Sequence, residues 1–306
     1  MAYIRTVCSD IDPSELGACY SHEHVLCSLP PEVIDRDLEL GSETAAIQEL
    51  TWFKQAGGHA LVDMTPADYG RDAKGMLRIS KATGIHIIAA TGLHNEKYSG
   101  RIVKDKSIDE LADRFARDVI EGIDGTTIKA GVIKAASSLN TITANEEKIF
   151  RAAARAHHMT GAAISTHTEV GTMGLEQIQL LISEGVEPER IMIGHVDRKL
   201  EWDYNLTLWK TGVTLSYDQI SKEKYAPDSQ RVEFTLRAVQ AGFSKQIVLG
   251  GDLARKSYWP SYGTGGGPGL TYILWRFIPW LRSAGLSENV LQDLLIHNLA
   301  RVLTMN

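Results

Sequence analysis

Cysteine is scarce in this chain, with three residues in 306, at positions 8, 19 and 27. An odd number without a repeated spacing does not indicate a disulfide framework. The start of the sequence has no basic segment followed by an apolar core, and no apolar run reaches the roughly 18 residues needed to cross a bilayer. These absences predict a cytoplasmic protein with reduced thiols and no membrane partner.

Positive charge is also in short supply. Lys and Arg number 32 against 38 Asp and Glu, which gives a net charge of −6. Binding to nucleic acid needs a basic surface for phosphate contact, so this balance argues against a nucleic-acid partner. An anionic small-molecule substrate would therefore need a local basic pocket.

Short apolar segments alternate with amphipathic segments along the whole chain. Segment 107–121 is typical of the predicted helices, with a capping box formed by Ser107 and Glu110 at its start. Glycine, which adopts positive φ without strain, follows seven helical segments, at 58, 84, 122, 161, 185, 212 and 242. The predicted buried strands are 17–22, 59–64, 85–91, 128–134, 162–167, 191–195, 213–217 and 247–252.

Eight strand–helix units predict an all-parallel sheet that closes into a (β/α)8 TIM barrel, with residues 1–306 forming a single domain. The alternative is an open doubly wound sheet. That fold carries a glycine-rich phosphate-binding turn after its first strand. The chain instead has CysTyrSerHisGluHis at 19–24.

Polar residues stand at the predicted strand ends, where barrels carry their active sites. His22 and His24 point the same way, because side chains two apart in a strand share a face, and such a pair can bind one metal ion. This pattern is a weak signal alone, but further histidines end the fifth and sixth strands, and closure puts the eighth strand beside the first. The strand-end residues are His22, His24, Asp63, Thr91, Lys134, His167, His195, Tyr217, Asp218 and Asp252.

Five motifs in this order resemble the phosphotriesterase family of the amidohydrolase superfamily. The similarity extends from SerHisGluHis at 21–24 to AsnLeuAlaArg at 298–301. The motifs are His22-Glu-His24, AlaGlyValIleLys ending at Lys134, ThrHisThr around His167, GlyHisValAsp at 194–197, and GlyGlyAsp ending at Asp252.

The resemblance implies a hydrolase with two divalent metal ions, zinc first and manganese or cobalt as alternatives. His22, His24 and Asp252 would hold the more buried metal, and His167 and His195 the more exposed one. Lys134, carboxylated by carbon dioxide, and a hydroxide would bridge the two. Asp252 would also act in catalysis by accepting the hydroxide proton.

Carboxylation would resolve a conflict at Lys134. A lysine at the barrel mouth is ordinarily a solvated cation or a salt-bridge partner, and a cationic ammonium would be repelled by metal ions. Burial and nearby cations lower the pKa of a lysine, so that a neutral amine becomes available to add carbon dioxide.

Two loops bear on the substrate. Acyl-homoserine lactonases of the family typically have tyrosine where His94 stands, so this residue favours small polar lactones. Lys222 and Lys224 follow the seventh strand, and Arg255 and Tyr258 follow the eighth. They resemble the lysine, arginine and tyrosine that bind phosphate in phosphosugar lactonases, with either lysine filling the first role. Arginine binds phosphate through two hydrogen bonds, although a solvated basic loop would look the same in sequence.

The leading hypothesis is a lactonase for a small, phosphorylated sugar lactone. The alternatives are phosphoester hydrolysis of the phosphotriesterase or phosphodiesterase type, an acyl-homoserine lactonase, and a non-catalytic sugar-phosphate binding protein. The resemblance also allows a homodimer, because family members are often dimers.

Overall fold

Eight parallel strands form the centre of the molecule. The computed structural model describes residues 2–29 and 33–306. A short antiparallel ribbon, β1 (Ile4–Arg5) and β2 (Asp10–Ile11), precedes the barrel. The barrel strands are β3 (Cys19–Glu23), β4 (Ala60–Asp63), β5 (His86–Gly92), β6 (Val132–Ala136), β7 (Ala163–His167), β8 (Ile191–Gly194), β9 (Thr214–Tyr217) and β10 (Ile247–Leu249).

Each barrel strand pairs with the next one along the chain, in the order β3 to β10. The last and first strands meet through few contacts: just beyond β10, Asp252 N donates to the carbonyl of His22 at 2.9 Å, and Gly251 N donates to Glu23 Oε1 at 2.7 Å. The predicted (β/α)8 barrel is thus confirmed, with a closing edge that lacks a continuous ladder.

All eight predicted strands form, although their boundaries shift. β6 begins at Val132, four residues later than predicted, and continues past Lys134 to Ala136. β10 ends at Leu249, so Asp252 belongs to the turn that follows the strand. Asp252 there has a φ of 44°, which is incompatible with an extended strand.

Helices surround the strands. The capping box of Ser107 and Glu110 forms at the start of α4, as predicted. The helices are α1 (Glu43–Gln55), α2 (Ala73–Thr83), α3 (Glu96–Val103), α4 (Ile108–Ile120), α5 (Ala144–Thr160), α6 (Gly174–Ser183), α7 (Trp202–Trp209), α8 (Asp228–Gln240), α9 (Ile278–Ser283), α10 (Glu288–Gln292) and α11 (Asn298–Leu303), with π-helical turns at Ile273–Phe277 and Asp293–His297. No helix among the described residues is long and apolar enough to span a membrane.

Six of the seven glycines predicted to end helices do have positive φ. The exception follows α1, where Gly57 has a φ of 99° and Gly58 does not lie in that region. A Cβ atom on Gly58 would lie 2.3 Å from the ring of Phe53. Glycine is therefore needed at position 58 for close packing and at position 57 for the turn.

Side chains along each strand point alternately into the barrel and toward the helices, which gives two buried layers. Small apolar side chains such as Val132 and Ala163 fill the lower barrel, against Leu16 and α11. Their neighbours Ile133 and Ile164 pack outward against the helices. Because side chains two apart share a face, Lys134 lies above Val132 in the interior, at the mouth of the barrel.

We expect Ile164→Ala to lower the free energy of unfolding by about 2–5 kcal/mol, because it leaves a cavity between sheet and helices. Ile164 is fully buried, whereas Ile182 on α6 is 40% exposed. Ile182→Ala is the matched control and should change stability by less than about 0.5 kcal/mol. The urea midpoint measures both, and equal shifts would contradict this account of the core.

Candidate metal centre

A cavity of about 220 Å³ opens at the carboxyl ends of the strands. Its polar wall residues come from several separate segments of the chain, and the barrel brings them to one place. The six predicted metal ligands all line it: His22, His24, Lys134, His167, His195 and Asp252.

Three of these residues form a compact donor group. The ligand atoms of His22, His24 and Asp252 all lie within 4.8 Å of one another. Asp252 Oδ1 lies 3.3 Å from His24 Nε2 and 3.8 Å from His22 Nε2. Two imidazoles and a carboxylate in this arrangement can hold one divalent metal ion, because each offers a lone pair to the same point.

His22 gives independent support for a metal. Its side chain is 1% exposed, Nδ1 lies 3.3 Å from Asp218 Oδ2, and Nε2 has no hydrogen-bond partner among the described residues. Buried polar atoms nearly always have a partner, and an unpaired imidazole costs free energy. A metal ion bound to His22 would remove that cost, so the residues present fit such a group.

Hydrogen bonds at Nδ1 orient the rings of two of the histidines. His24 Nδ1 lies 2.8 Å from Thr65 Oγ1. His195 Nδ1 lies 2.7 Å from Asp218 Oδ1, which also accepts the backbone N–H of His195 at 3.0 Å. In both cases Nε2 is left for a metal, as is usual for metal-binding histidines.

The remaining predicted ligands lie beside this group. The ring of His195 is centred 4.7 Å from that of His22 and 4.5 Å from that of His167. His167 Nε2 lies 3.2 Å from a carboxylate oxygen of Glu169, so its Nδ1 is the nitrogen left for a metal. Lys134 Nζ donates to the carbonyl of Met64 at 2.7 Å.

The charges of the centre follow from its burial. Burial lowers the pKa of His22 to about 3 and that of His167 to about 4, so both are neutral and keep a lone pair at neutral pH. Burial also lowers the pKa of Lys134 to about 8, against the opposing effect of nearby carboxylates. For Asp252, burial opposes ionisation, but Lys222 and His24 outweigh it and lower the pKa well below its usual value.

Four of the five predicted substrate-binding residues line the same cavity: Lys222, Arg255, Tyr258 and His94. Lys224 does not line it, and its Nζ lies 4.8 Å from the ring centre of Tyr225 and 5.6 Å from that of Tyr258. The ring of His94 is centred 4.8 Å from that of His167. Its Nδ1 accepts the backbone N–H of Asn95 at 2.7 Å, which leaves the proton on Nε2.

The two central cations have partners within the chain. Lys222 Nζ donates to the carbonyl and to Oδ2 of Asp252, at 2.6 and 2.7 Å, and to Gln219 Oε1 at 3.1 Å. The three protons of Lys222 Nζ are therefore directed at Asp252 and Gln219. Arg255 pairs with Asp35 at 2.8 Å and with Asp37 at 3.2 Å, which fixes its position at the rim.

Sequence reasoning assigned no role to several residues that the structure places here. Asp218 stands at a strand end, and that position was its only signal. Gln219 donates to Asp252 Oδ2 at 2.8 Å, and Thr65 supports His24. Glu169 follows His167 by two residues and accepts a hydrogen bond from Arg198 at 3.1 Å. A glutamine, threonine or glutamate in a loop has no spacing pattern that would have revealed these contacts.

A barrel with histidines and carboxylates gathered at its mouth is typical of metal-dependent hydrolases. The model of the phosphotriesterase family matches residues 2–303. The phosphotriesterase homology protein of Escherichia coli (strain K12) is 36% identical over 278 residues, covering 90% of this chain and 94% of that protein.

Two further comparisons cover nearly the whole chain. The phospho-furanose lactonase of Mycoplasmopsis synoviae (strain 53) is 33% identical over 325 residues, covering 99% of this chain and 92% of that protein. The crystal structure of a lactonase from Listeria monocytogenes has a TM-score of 0.94 and 38% identity, covering 99% of each chain. This chain therefore belongs to the phosphotriesterase family, and it is a hydrolase that acts on ester bonds.

We expect Asp218→Asn to lower the metal affinity of the centre by about 10- to 100-fold, because a neutral amide oxygen is a weaker acceptor than the carboxylate oxygen that holds both the ring proton and the backbone proton of His195. Competition with a chelator measures the affinity. Asp293→Asn, which breaks an ion pair with Lys245 on another part of the barrel, is the control. Equal affinities in wild type and both variants would show that Asp218 does not support a metal ligand.

Proposed function

We propose that this chain is a binuclear-metal-dependent lactonase that opens a small, phosphorylated sugar lactone. The observation that carries the proposal is the joining of two sets of residues in one small cavity. Imidazoles and a carboxylate suited to metals lie at its base, and Arg255 and Tyr258 lie at its rim. The first set would hold the metal ions that act on the scissile ester, and the second would bind an anionic group elsewhere on the substrate.

The proposed centre uses the six residues at the base. His22, His24 and Asp252 hold one metal ion, and His167 and His195 hold the other, with carboxylated Lys134 between them. Zinc is the expected metal, with manganese or cobalt as alternatives. Metal ions bound there would polarise the ester carbonyl and lower the pKa of water from 15.7 to about 7.

Lys134 suits carboxylation by its surroundings. Its side chain is fully buried beside neutral histidines, where an ammonium gains little solvation. The neutral amine would attack carbon dioxide, form an N–C bond and lose one proton, which turns a neutral side chain into an anionic one. An anion of this kind can bind two cations that an ammonium would repel.

Asp252 is placed to accept and return a proton. Oδ1 faces the histidines, and Oδ2 is held by Lys222 and Gln219. Two hydrogen bonds to one oxygen fix the plane of the carboxylate, so that its other oxygen keeps one direction. In the proposed reaction the carboxylate takes a proton from the attacking water and delivers it to the leaving alkoxide oxygen of the lactone.

The rim contacts favour one of two lysines for the substrate phosphate. Lys222 directs its protons at Asp252 and Gln219, whereas Lys224 Nζ lies 5.6 Å from the ring centre of Tyr258, which lines the cavity. We therefore assign the remote phosphate to Lys224, Arg255 and Tyr258, and Lys222 to the support of Asp252. Arg255 is held by two carboxylates, which leaves its other nitrogen atoms free to form charge-assisted hydrogen bonds to a phosphate.

Metal analysis tests the proposed centre. We expect about two metals per chain in protein loaded with excess metal, because six ligand candidates exceed the four of a single tetrahedral site. Lys134→Ala should abolish binding of the pair, and a short carboxylic acid in solution should restore part of it. A ceiling of one metal per wild-type chain, or electron density for a bare amine between two metals, would overturn this part of the proposal.

A panel of matched lactones, with and without phosphate, tests the substrate. A charge-assisted hydrogen bond contributes about 1.5–3 kcal/mol, so Arg255→Ala should lower kcat/KM for the phosphorylated lactone by roughly 10- to 150-fold. The unphosphorylated lactone should be nearly unaffected. Equal losses on both substrates would mean that Arg255 only supports its loop. Faster turnover of a phosphotriester or an acyl-homoserine lactone would replace the proposed substrate class.

A further inference from the structure

Three successive backbone amides after β10 donate hydrogen bonds to β3. Gly251 N donates to Glu23 Oε1 at 2.7 Å, and Leu253 N donates to Glu23 Oε2 at 3.0 Å. Between them, Asp252 N donates to the carbonyl of His22 at 2.9 Å. β10 has ended by this point, so this segment does not pair with β3 through a strand ladder. The side chain of Glu23 accepts two of its three amide hydrogen bonds instead.

The segment held in this way is strained. Asp252 has a φ of 44°, in the left-handed region that residues other than glycine rarely adopt. Such a conformation persists only where the surroundings hold it. Glycine at 251 permits the close approach, because a Cβ there would lie 2.9 Å from Glu23 Oε1. The glutamate, the glycine and the strained aspartate thus form one local arrangement.

The direction of the Asp252 carboxylate depends on this backbone. Oδ1 lies 3.3 Å from His24 Nε2, and Oδ2 accepts Lys222 at 2.7 Å. A rotation of either flanking peptide would move both oxygens away from these partners. Glu23 itself is fully buried, and both of its oxygens are taken by amides, so it does not act as a ligand.

We propose that Glu23 is a positioning residue for the metal centre, which holds the Asp252 carboxylate against His22 and His24 by fixing the amides on both sides of Asp252. The proposal rests on the proposed function, since it concerns how firmly the chain holds its metal. It gives the residue between the two histidines a role: the end of β3 and the residue that follows it supply two proposed ligands, and Glu23 supports the third.

Glu23→Gln tests the proposal, because the amide keeps one acceptor and turns an NH₂ group toward a backbone donor. We expect the affinity for zinc or cobalt, measured by chelator competition, to fall by about 10- to 100-fold. The visible absorption of the cobalt-loaded protein should shift, because the geometry around the metal changes. For the lactone, kcat should fall while KM changes by less than about twofold.

Glu49 provides a matched control. It is a buried glutamate whose two oxygens accept backbone amides, from Leu270 at 2.9 Å and Ser261 at 3.3 Å, but neither amide adjoins a proposed ligand. Glu49→Gln should lower thermal stability and leave metal affinity and the cobalt spectrum unchanged. If Glu23→Gln also lowers stability alone, with wild-type metal affinity and spectrum, then Glu23 is only a structural cap and the proposal is wrong.

Glu23→Asp decides the matter if the glutamine variant does not fold. The shorter carboxylate keeps its charge but reaches only one amide, so metal affinity should lie between those of wild type and the glutamine variant. An aspartate variant with wild-type affinity and spectrum would overturn the proposal. Failure of the proposed function would look different: wild-type protein would bind no metal, or would bind metal without opening the lactone, and in the second case metal affinity and the cobalt spectrum would still test Glu23.

Discussion

Closure of the barrel between its last and first strands is the constraint on which the candidate metal centre depends. His22 lies in β3 and His24 directly follows it, whereas Asp252 follows β10, more than 220 residues away in sequence. Only closure brings their side chains within reach of one metal ion. The closing edge is made of a few polar contacts, with the two oxygens of Glu23 in place of a ladder. The edge that closes the barrel therefore also carries three of the proposed metal ligands.

Buried carboxylates also hold the backbone around the proposed ligand that follows β8. His195, at the end of β8, has a φ of 61° and is held through its ring and its backbone by Asp218. Asp197 in turn accepts the amides of Asp218 and Gln219 and pairs with the buried Arg231. Removal of Arg231 would leave the buried carboxylate of Asp197 without its cation, which is costly. Two proposed ligands thus keep strained backbones because buried carboxylates hold the chain around them.

The electrostatics of the mouth differ from those of the whole chain. The net charge is −6, yet Lys97, Lys222 and Arg255 line one cavity. Lys224 adds a fourth cation beside Tyr258. Because Lys222 is paired with Asp252, and Arg255 with Asp35 and Asp37, an anionic substrate would gain most from Lys97, Lys224 and the remaining N–H groups of Arg255. The overall acidity still disfavours polyanions, which need a wide basic surface.

The amino-acid sequence by itself determined the eight strands, the barrel and the positions of the proposed ligands at strand ends. These features depend on hydrophobic periodicity and on short motifs such as GlyGlyAsp, which act over a few residues. Tertiary structure decided the rest. It placed Lys222 on Asp252 and Lys224 near Tyr258, and it brought Glu23, Asp218 and Gln219 into contact with the segments that carry the proposed ligands. No local pattern marks these residues, because each contact joins separate segments of the chain, and its distance exists only once the barrel has closed.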